Sequence, residues 1–364
     1  MKFLWPKLRL SFGFDWSLFI VPSLLAIFGI AVIFSITFNT ASRIAYDQII
    51  YLILGLVAAV AISFYDYRVL KGLYLVLYII GVLLLILVLF IGTSTFGATR
   101  WINLYIFQLQ PSEVFKFVAI IFIAKFFSDW QEIEWRKVVW LIAAILGPMI
   151  LILLQPDLGT TSVIFVTLLA LLFASPIRKL YLILGLAALI ALSPLGWHFL
   201  KPYQKNRVVA FINPAADPQG AGYNVSQSKI AIGSGGLWGR GLGKGSQSQL
   251  NFLPVAHTDF IFAGAAEATG FIGSTFLLGL LLFLMIRILA ITRLARDDFG
   301  MYLSVGIGTI FLFQALVNIG MNMGIMPVTG IPLPFVSYGG SAQISNFLAI
   351  GILQSIYMRH KITF

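Results

Sequence analysis

Long apolar runs separated by short polar turns dominate this chain, and their lengths set its architecture. A bilayer core about 30 Å thick needs roughly 20 apolar residues in an α-helix. Ten stretches qualify: 18–36, 48–64, 72–92, 112–128, 137–154, 158–175, 179–198, 259–286, 301–323 and 342–358. The apolar residues from 137 to 175 are too many for one span. Gln155-Pro156-Asp157 interrupts them, since proline lacks the helix N–H and clashes with the preceding turn. A tight hairpin of two helices is expected there. The pattern predicts an all-α polytopic membrane protein with ten transmembrane helices. It breaks once, at 199–257, which reads as a large extracytoplasmic loop between helices 7 and 8.

Composition supports this reading. The chain is 60% hydrophobic and only 10% charged, against about 25% charged for a soluble domain. Cysteine is absent, which excludes disulfides and thiolate metal sites. The net charge of +11 would suit nucleic acid, but the basic residues are dispersed over short turns. Counting Lys125 and the flanking Lys137 and Lys179, 15 of the 24 fall on the N-terminus, 65–71, 129–136, 176–178, 287–300 and the C-terminus. The positive-inside rule makes that face, with both termini, cytoplasmic, so no nucleic-acid partner is expected. Met1 to Ser17 is basic and aromatic and lacks a small-residue cleavage site, so it reads as retained. No fixed-period repeat is visible, so residues 1–364 parse as a single transmembrane domain with 199–257 as its elaboration. Tyr203, Phe211, Tyr223, Leu237 and Trp238 predict that this loop packs on the helices or dips into the lipid surface.

Polar chemistry gathers on the opposite, outer side. Ionisable groups inside a span are costly and are functional candidates. Arg100-Trp101-Ile102-Asn103 precedes Gln110-Pro111-Ser112-Glu113 and Lys116, with Pro111 suited to the first turn of a helix. Glu113 and Lys116 share a helix face. Their plain reading is a dipole-stabilising acid and a snorkelling lysine. Asp157, in Gln155-Pro156-Asp157-Leu158-Gly159-Thr160, would plainly be a helix cap. The loop carries Lys201, Lys205, Arg207, Lys229, Arg240 and Lys244 against one acid, Asp217. Its glycine-rich stretch 233–245 would let backbone N–H groups cradle an anion, or would be a bare surface loop. It fits neither nucleotide-binding glycine pattern. Asp259, in His257-Thr258-Asp259-Phe260-Ile261-Phe262, stands at the entrance to a long apolar run, as a cap or as a reactive acid. Glu267 lies deeper on nearly the same face and calls for a partner such as Lys116 or Arg100. Pro332-Leu333-Pro334 to Ser341 is irregular backbone that needs protein or a watery cavity around it. Scattered histidines and the missing G-x-S-x-G motif argue against a zinc site or serine hydrolase. A cationic loop facing a lone acid at a membrane surface suggests an anionic, lipid-borne substrate.

These motifs, with Gly97-Ala98-Thr99-Arg100-Trp101-Ile102-Asn103-Leu104, resemble the SEDS family of bacterial cell-wall polymerases over nearly the whole chain. Asn213-Pro214 and Asp217-Pro218-Gln219-Gly220-Ala221-Gly222-Tyr223, followed by Gln227-Ser228-Lys229, look like the elongation-type members rather than the division-type ones. The resemblance implies a peptidoglycan glycosyltransferase that polymerises lipid II at the outer membrane face. It implies Asp259 as catalytic general base. Arg100, Glu113, Lys116, Asp157, Arg207, Lys229, Arg240, Lys244 and Glu267 are the candidate substrate-binding residues. Val255 after Pro254, and Ala268 after Glu267, stand where the family usually has acids. Tyr105 stands where glycine is common. Fewer carboxylates therefore remain for a divalent cation (Mg²⁺ or Mn²⁺), the one cofactor to consider. The implied partners are a class B penicillin-binding protein transpeptidase and other elongation-complex membrane proteins. The competing readings are a lipid II flippase, a scaffold for the transpeptidase, and the division-specific paralogue.

Overall fold

The computed structural model describes residues 13–38, 42–95, 98–103, 108–130, 135–199, 202–213, 220–250, 252–253 and 255–360. Helices occupy the apolar runs: α1 (Ser17–Ile36), α2 (Ser42–Phe64), α3 (Arg68–Ile91), α4 (Pro111–Ser128), α5 (Trp135–Leu154), α6 (Leu158–Ala174) and α7 (Lys179–Phe199). The long loop adds α8 (Pro202–Ile212), α9 (Ala221–Gly235) and α10 (Ser246–Gln249). Three further helices follow: α11 (Ile261–Leu294), α12 (Asp298–Asn322) and α13 (Gly340–Met358). Among the described residues, α1, α2, α3, α5, α11 and α12 are the six helices long and apolar enough to cross a bilayer. Helix α4 differs because Glu113, Lys116 and Lys125 interrupt its apolar sequence.

Helix ends and apolar windows do not coincide. Helix α2 begins at Ser42, ahead of the expected 48, and α11 runs to Leu294, beyond the expected 286. Hydropathy marks where lipid is touched, whereas a helix continues as long as its backbone bonds do. Past residue 286 the polar turn of α11 is held by Arg287, which bonds the Asp15 carboxylate.

One small sheet departs from the all-α expectation. Strands β1 (Thr93–Thr95), β2 (Ala98–Asn103) and β3 (Gln108–Leu109) pair antiparallel in that order, with Ile102 opposite Leu109. Threonine, isoleucine and tryptophan favour such pleated backbone, but the strands are too short to show as a pattern. This sheet, between α3 and α4, carries Arg100.

A single apolar cluster runs from Leu18 to Ile356. Helix α13 packs along α2, while α11 packs on α1, α9 and α12. Gly29 lets α1 touch the irregular 332–339 backbone: a β-carbon there would collide with the Val336 carbonyl. That irregular segment is covered by protein, with Leu333, Phe335 and Val336 buried. Gln48 of α2 donates to the Ser337 carbonyl at 3.2 Å and accepts from Gly339 N–H at 3.2 Å.

The described part of the long loop packs on the helices, as its apolar content suggested. Helix α9 lies against α11 and α12. Ser228 on α9 donates to the Asn322 carbonyl at 2.7 Å. Several expectations fall outside the described residues: the basic N-terminal stretch, Gly97, Leu104, Tyr105, Lys201, Pro214 to Gln219, and Pro254.

Candidate functional site

Asp259 sits just ahead of α11, on backbone fixed at three successive carbonyls. The His257 carbonyl accepts from Tyr338 N–H at 2.9 Å, and the Thr258 carbonyl accepts from the Ser337 hydroxyl at 2.7 Å. The Asp259 carbonyl accepts from two amides of α12, Asn318 at 2.9 Å and Asn322 at 3.0 Å. Asn318 also donates to the Ile331 carbonyl at 2.8 Å. The Asn322 amide oxygen accepts from Ala263 N–H at 3.0 Å. Both asparagines are fully buried. Their spacing of four puts them on one helix face, and that spacing was the available signal. The sequence reading passed over them because it weighed ionisable groups.

The Asp259 carboxylate itself caps nothing. Phe260 holds the N-cap position of α11 and no side chain bonds there, so neither Thr258 nor Asp259 is the cap. The carboxylate is half-buried and its Oδ2 faces Gly330, where an added β-carbon would lie 3.3 Å away. Burial pushes this carboxyl above the ordinary aspartate range. Arg207 and then Arg100 oppose that shift, helped by the Thr258 hydroxyl, while the negative charge of Asp157 adds to it. Four residues far apart in sequence thus act on one another: Arg100, Asp157, Arg207 and Asp259.

Asp157 does cap α6, accepting from Thr160 N–H at 3.0 Å and its hydroxyl at 2.9 Å. It does more than cap, because Gln110 and Ser112 reach it from the start of α4 at 3.2 and 3.3 Å. Arg100 closes over the same turn. Its Nε donates to the Gln155 carbonyl at 3.0 Å, a terminal nitrogen donates to the Pro156 carbonyl, and another lies 4.0 Å from Asp157. The 155–157 turn then meets the 329–331 segment, since a β-carbon on Gly159 would lie 3.1 Å from the Thr329 carbonyl.

Glu113 and Lys116 do pair, at 2.7 Å, with relative exposures of 3% and 1%. A lysine so enclosed does not snorkel. Glu267 departs from expectation. It meets neither Lys116 nor Arg100 but accepts from the N–H groups of Gln247 and Ser248 at 2.8 and 3.1 Å, and from the Ser248 hydroxyl at 2.7 Å. A full carboxylate is the natural acceptor for the unpaired donors that open α10.

The glycine-rich stretch packs its backbone against α11. Helix α11 is broken at Gly270, whose φ of 67° and ψ of −162° leave helical space. The loop repairs the break. Arg240 and Gly241 N–H donate to the Glu267 and Ala268 carbonyls at 2.9 and 3.0 Å. Phe271 and Ile272 N–H donate to the Gly236 and Leu237 carbonyls at 2.8 and 3.2 Å. The loop backbone therefore serves a neighbouring helix. Arg240 (bonded to the Ser234 carbonyl) and Lys244 are exposed at this seam, away from the cluster around Asp259.

Arg207 and Lys229 line a cavity of about 260 Å³ with Val225, Phe211 and Val328. Arg207 also donates to the Thr329 carbonyl at 3.1 Å, next to Gly330 and so next to Asp259. The donor set does not fit a protein-held divalent cation. No group of three or more Asp, Glu or His gathers among the described residues. The Asp157 oxygens are engaged by Gln110, Ser112 and Thr160, which leaves Asp259 as the open carboxylate. The arrangement can accept a proton at Asp259 and hold an anion at the guanidinium beside it.

Comparison with known proteins gives concordant similarities. The family profile FTSW_RODA_SPOVE, described as cell cycle protein, matches residues 15–362. Peptidoglycan glycosyltransferase MrdB of Escherichia coli K12 is 41% identical over 310 residues, 85% of this chain and 84% of that one. The probable peptidoglycan glycosyltransferase FtsW of Coxiella burnetii is 40% identical over 370 residues, 96% of this chain and 98% of that one. Among solved structures, a chain of a peptidoglycan synthase complex that coordinates polymerization and crosslinking aligns with a TM-score of 0.85 at 31% identity. That alignment covers 96% of this chain and 99% of the other. The rod shape determining protein RodA of Thermus thermophilus aligns with a TM-score of 0.74 at 28% identity, over 98% and 100% of the two chains.

Proposed function

This chain belongs to the FtsW, RodA and SpoVE family, and on that premise we propose that Asp259 is the general base of a peptidoglycan glycosyltransferase that polymerises lipid II. It is a multi-pass membrane protein. Helices α1 to α7 and α11 to α13 are the ten spans of this reading. Both termini are cytoplasmic, and α8 to α10 lie at the outer face.

One observation carries the assignment. The Asp259 backbone is pinned by Asn318 and Asn322, while its carboxylate is left out of capping and feels the positive charge of Arg207. A sugar hydroxyl is too weakly acidic to attack unaided, and a positioned base typically contributes about 10²–10⁴-fold. The acceptor 4-hydroxyl gives its proton to Asp259 as its oxygen bonds to the donor C1. The C1–O bond to the donor pyrophosphate breaks with inversion, and the polyprenyl pyrophosphate leaves with the electron pair. Fixed cations stabilise that growing charge. Arg100 is spent on two carbonyls of the 155–157 turn, so its role is to position that turn, and Arg207 faces the leaving group. No step here uses a metal ion.

The elongation role rests on the 213–229 motif, and the class B penicillin-binding protein and other elongation-complex proteins are the partners that go with it. Labelled lipid II mixed with the purified protein in detergent tests the activity. Glycan ladders are expected. A flippase or a scaffold makes none in a system without compartments, so their absence would reject the glycosyltransferase reading.

A further inference from the structure

The cavity lined by Arg207 has an apolar neighbour. The first holds Arg207 and Lys229. The second, about 320 Å³, opens at the break in α11 and is lined by Ile232, Gly233, Phe262, Ala266, Gly270 and Leu278. Helix α9 walls both, with Lys229 in one and Ile232 and Gly233 in the other. The consecutive residues Gly324 and Met323 also line one each. The Lys229 side chain lies across Gly324, where a β-carbon would collide with its Cε. No carboxylate among the described residues pairs with this lysine. Along α9, then, a cationic end gives way to an apolar trough floored by small residues.

We propose that this trough binds the polyprenyl pyrophosphate of the donor substrate, with the pyrophosphate at Arg207 and Lys229 and the first isoprene units in the groove between α9 and α11. The proposal rests on the glycosyltransferase reading and says which substrate lies where. Two phosphates in series match two cations on adjoining helices, and guanidinium and ammonium groups suit phosphate oxygens. Donor and acceptor carry the same lipid, but their pyrophosphates sit at different distances from the reaction. The donor pyrophosphate is bonded to C1, the atom attacked by the oxygen that Asp259 deprotonates. The acceptor pyrophosphate is set back by its own two sugars. Arg207 bonds the Thr329 carbonyl, one residue from Gly330, against which the Asp259 Oδ2 lies, so its pocket is the donor's. Gly233, where an added β-carbon meets open space, is the place where a side chain would otherwise fill the groove. An unbranched-chain phospholipid offers one phosphodiester to the same cations and is the generic competitor.

The test uses the full-length protein in detergent and displacement of a fluorescent undecaprenyl pyrophosphate. Undecaprenyl pyrophosphate, inorganic pyrophosphate and phosphatidylglycerol are the competitors. Lys229→Gln is expected to weaken both pyrophosphates by about tenfold, the loss typical of one charge-assisted contact. Gly233→Leu is expected to weaken undecaprenyl pyrophosphate by about tenfold, a few lost apolar groups' worth, and to leave inorganic pyrophosphate unchanged. A β-carbon on Gly233 meets open space, so the fold tolerates that change. Thr275→Phe, from the facing wall of the same groove, should repeat it. Phosphatidylglycerol competing as well as undecaprenyl pyrophosphate would overturn the proposal. So would wild-type affinities in Lys229→Gln, or in both groove variants. Failure of the underlying activity reads differently, as wild-type protein that forms no glycan.

Discussion

Three carbonyls in a row, at His257, Thr258 and Asp259, are held by groups from the 337–338 segment and α12, while the last residue's carboxylate is left out of capping α11. Such division of labour fixes a reactive group without consuming it. Burial raises the proton affinity of Asp259, and the Arg207 and Arg100 charges lower it. As the proposed base it must be deprotonated, so the rate at saturating lipid II should rise with pH, with a midpoint above the ordinary aspartate value of about 3.9. Arg207→Gln removes the stronger opposing charge, so the midpoint should move to higher pH. An unmoved or lowered midpoint in that variant's pH–rate profile would contradict the electrostatic assignment. Asp259 was legible in the sequence because an acid beside a long apolar run is conspicuous. The Glu113–Lys116 pair was legible because three residues separate neighbours on a helix. Asn318 and Asn322 were not, because uncharged amides within 301–323 barely disturb an apolar window.

Broken helices and their repair belong to the next scale. Helix α11 stops being helical at Gly270, and its loose N–H and C=O groups are matched by the 236–241 backbone. An unpaired backbone group in an apolar setting costs several kcal/mol, roughly 2–7 by transfer measures, so this seam is obligatory. The Gly270 conformation is available essentially only to glycine. A β-carbon there would also strike the Gly239 nitrogen. Gly270→Ala should therefore lower stability by about 3 kcal/mol or more. Faster amide exchange over 236–241 should accompany the loss. A melt and an exchange pattern like those of the parent would show that the seam is dispensable. Glycine-rich sequence signalled close backbone approach, and the broken helix it approaches was not legible, since the same N–H groups suit a phosphate or a severed helix equally well. The short strands β1 to β3 escaped notice for a related reason: a pair two residues long has no readable period.

The whole molecule brings together what the chain scatters. Arg100 comes from the sheet, Asp157 from the α5–α6 hairpin, Arg207 from the long loop, Asp259 from the mouth of α11, and Asn318 from α12. Helices in the apolar runs followed from hydropathy alone. Which of their ends converge did not, because packing between distant elements leaves no local trace. The half-buried Asp259 carboxylate also has a stability consequence. An acid whose folded-state pKa is raised favours folding at low pH and opposes it once pH exceeds that value. Replacing it by asparagine removes that cost, with a benefit that grows as pH rises from the ordinary aspartate range through the raised one. The most direct test therefore compares Asp259→Asn with the parent protein near neutral pH, measuring both the melting temperature and glycan synthesis from labelled lipid II. A melt no lower than the parent's, with synthesis reduced by about 10² or more, is the expected result. Glycan strands made at the parental rate by that variant would contradict the account.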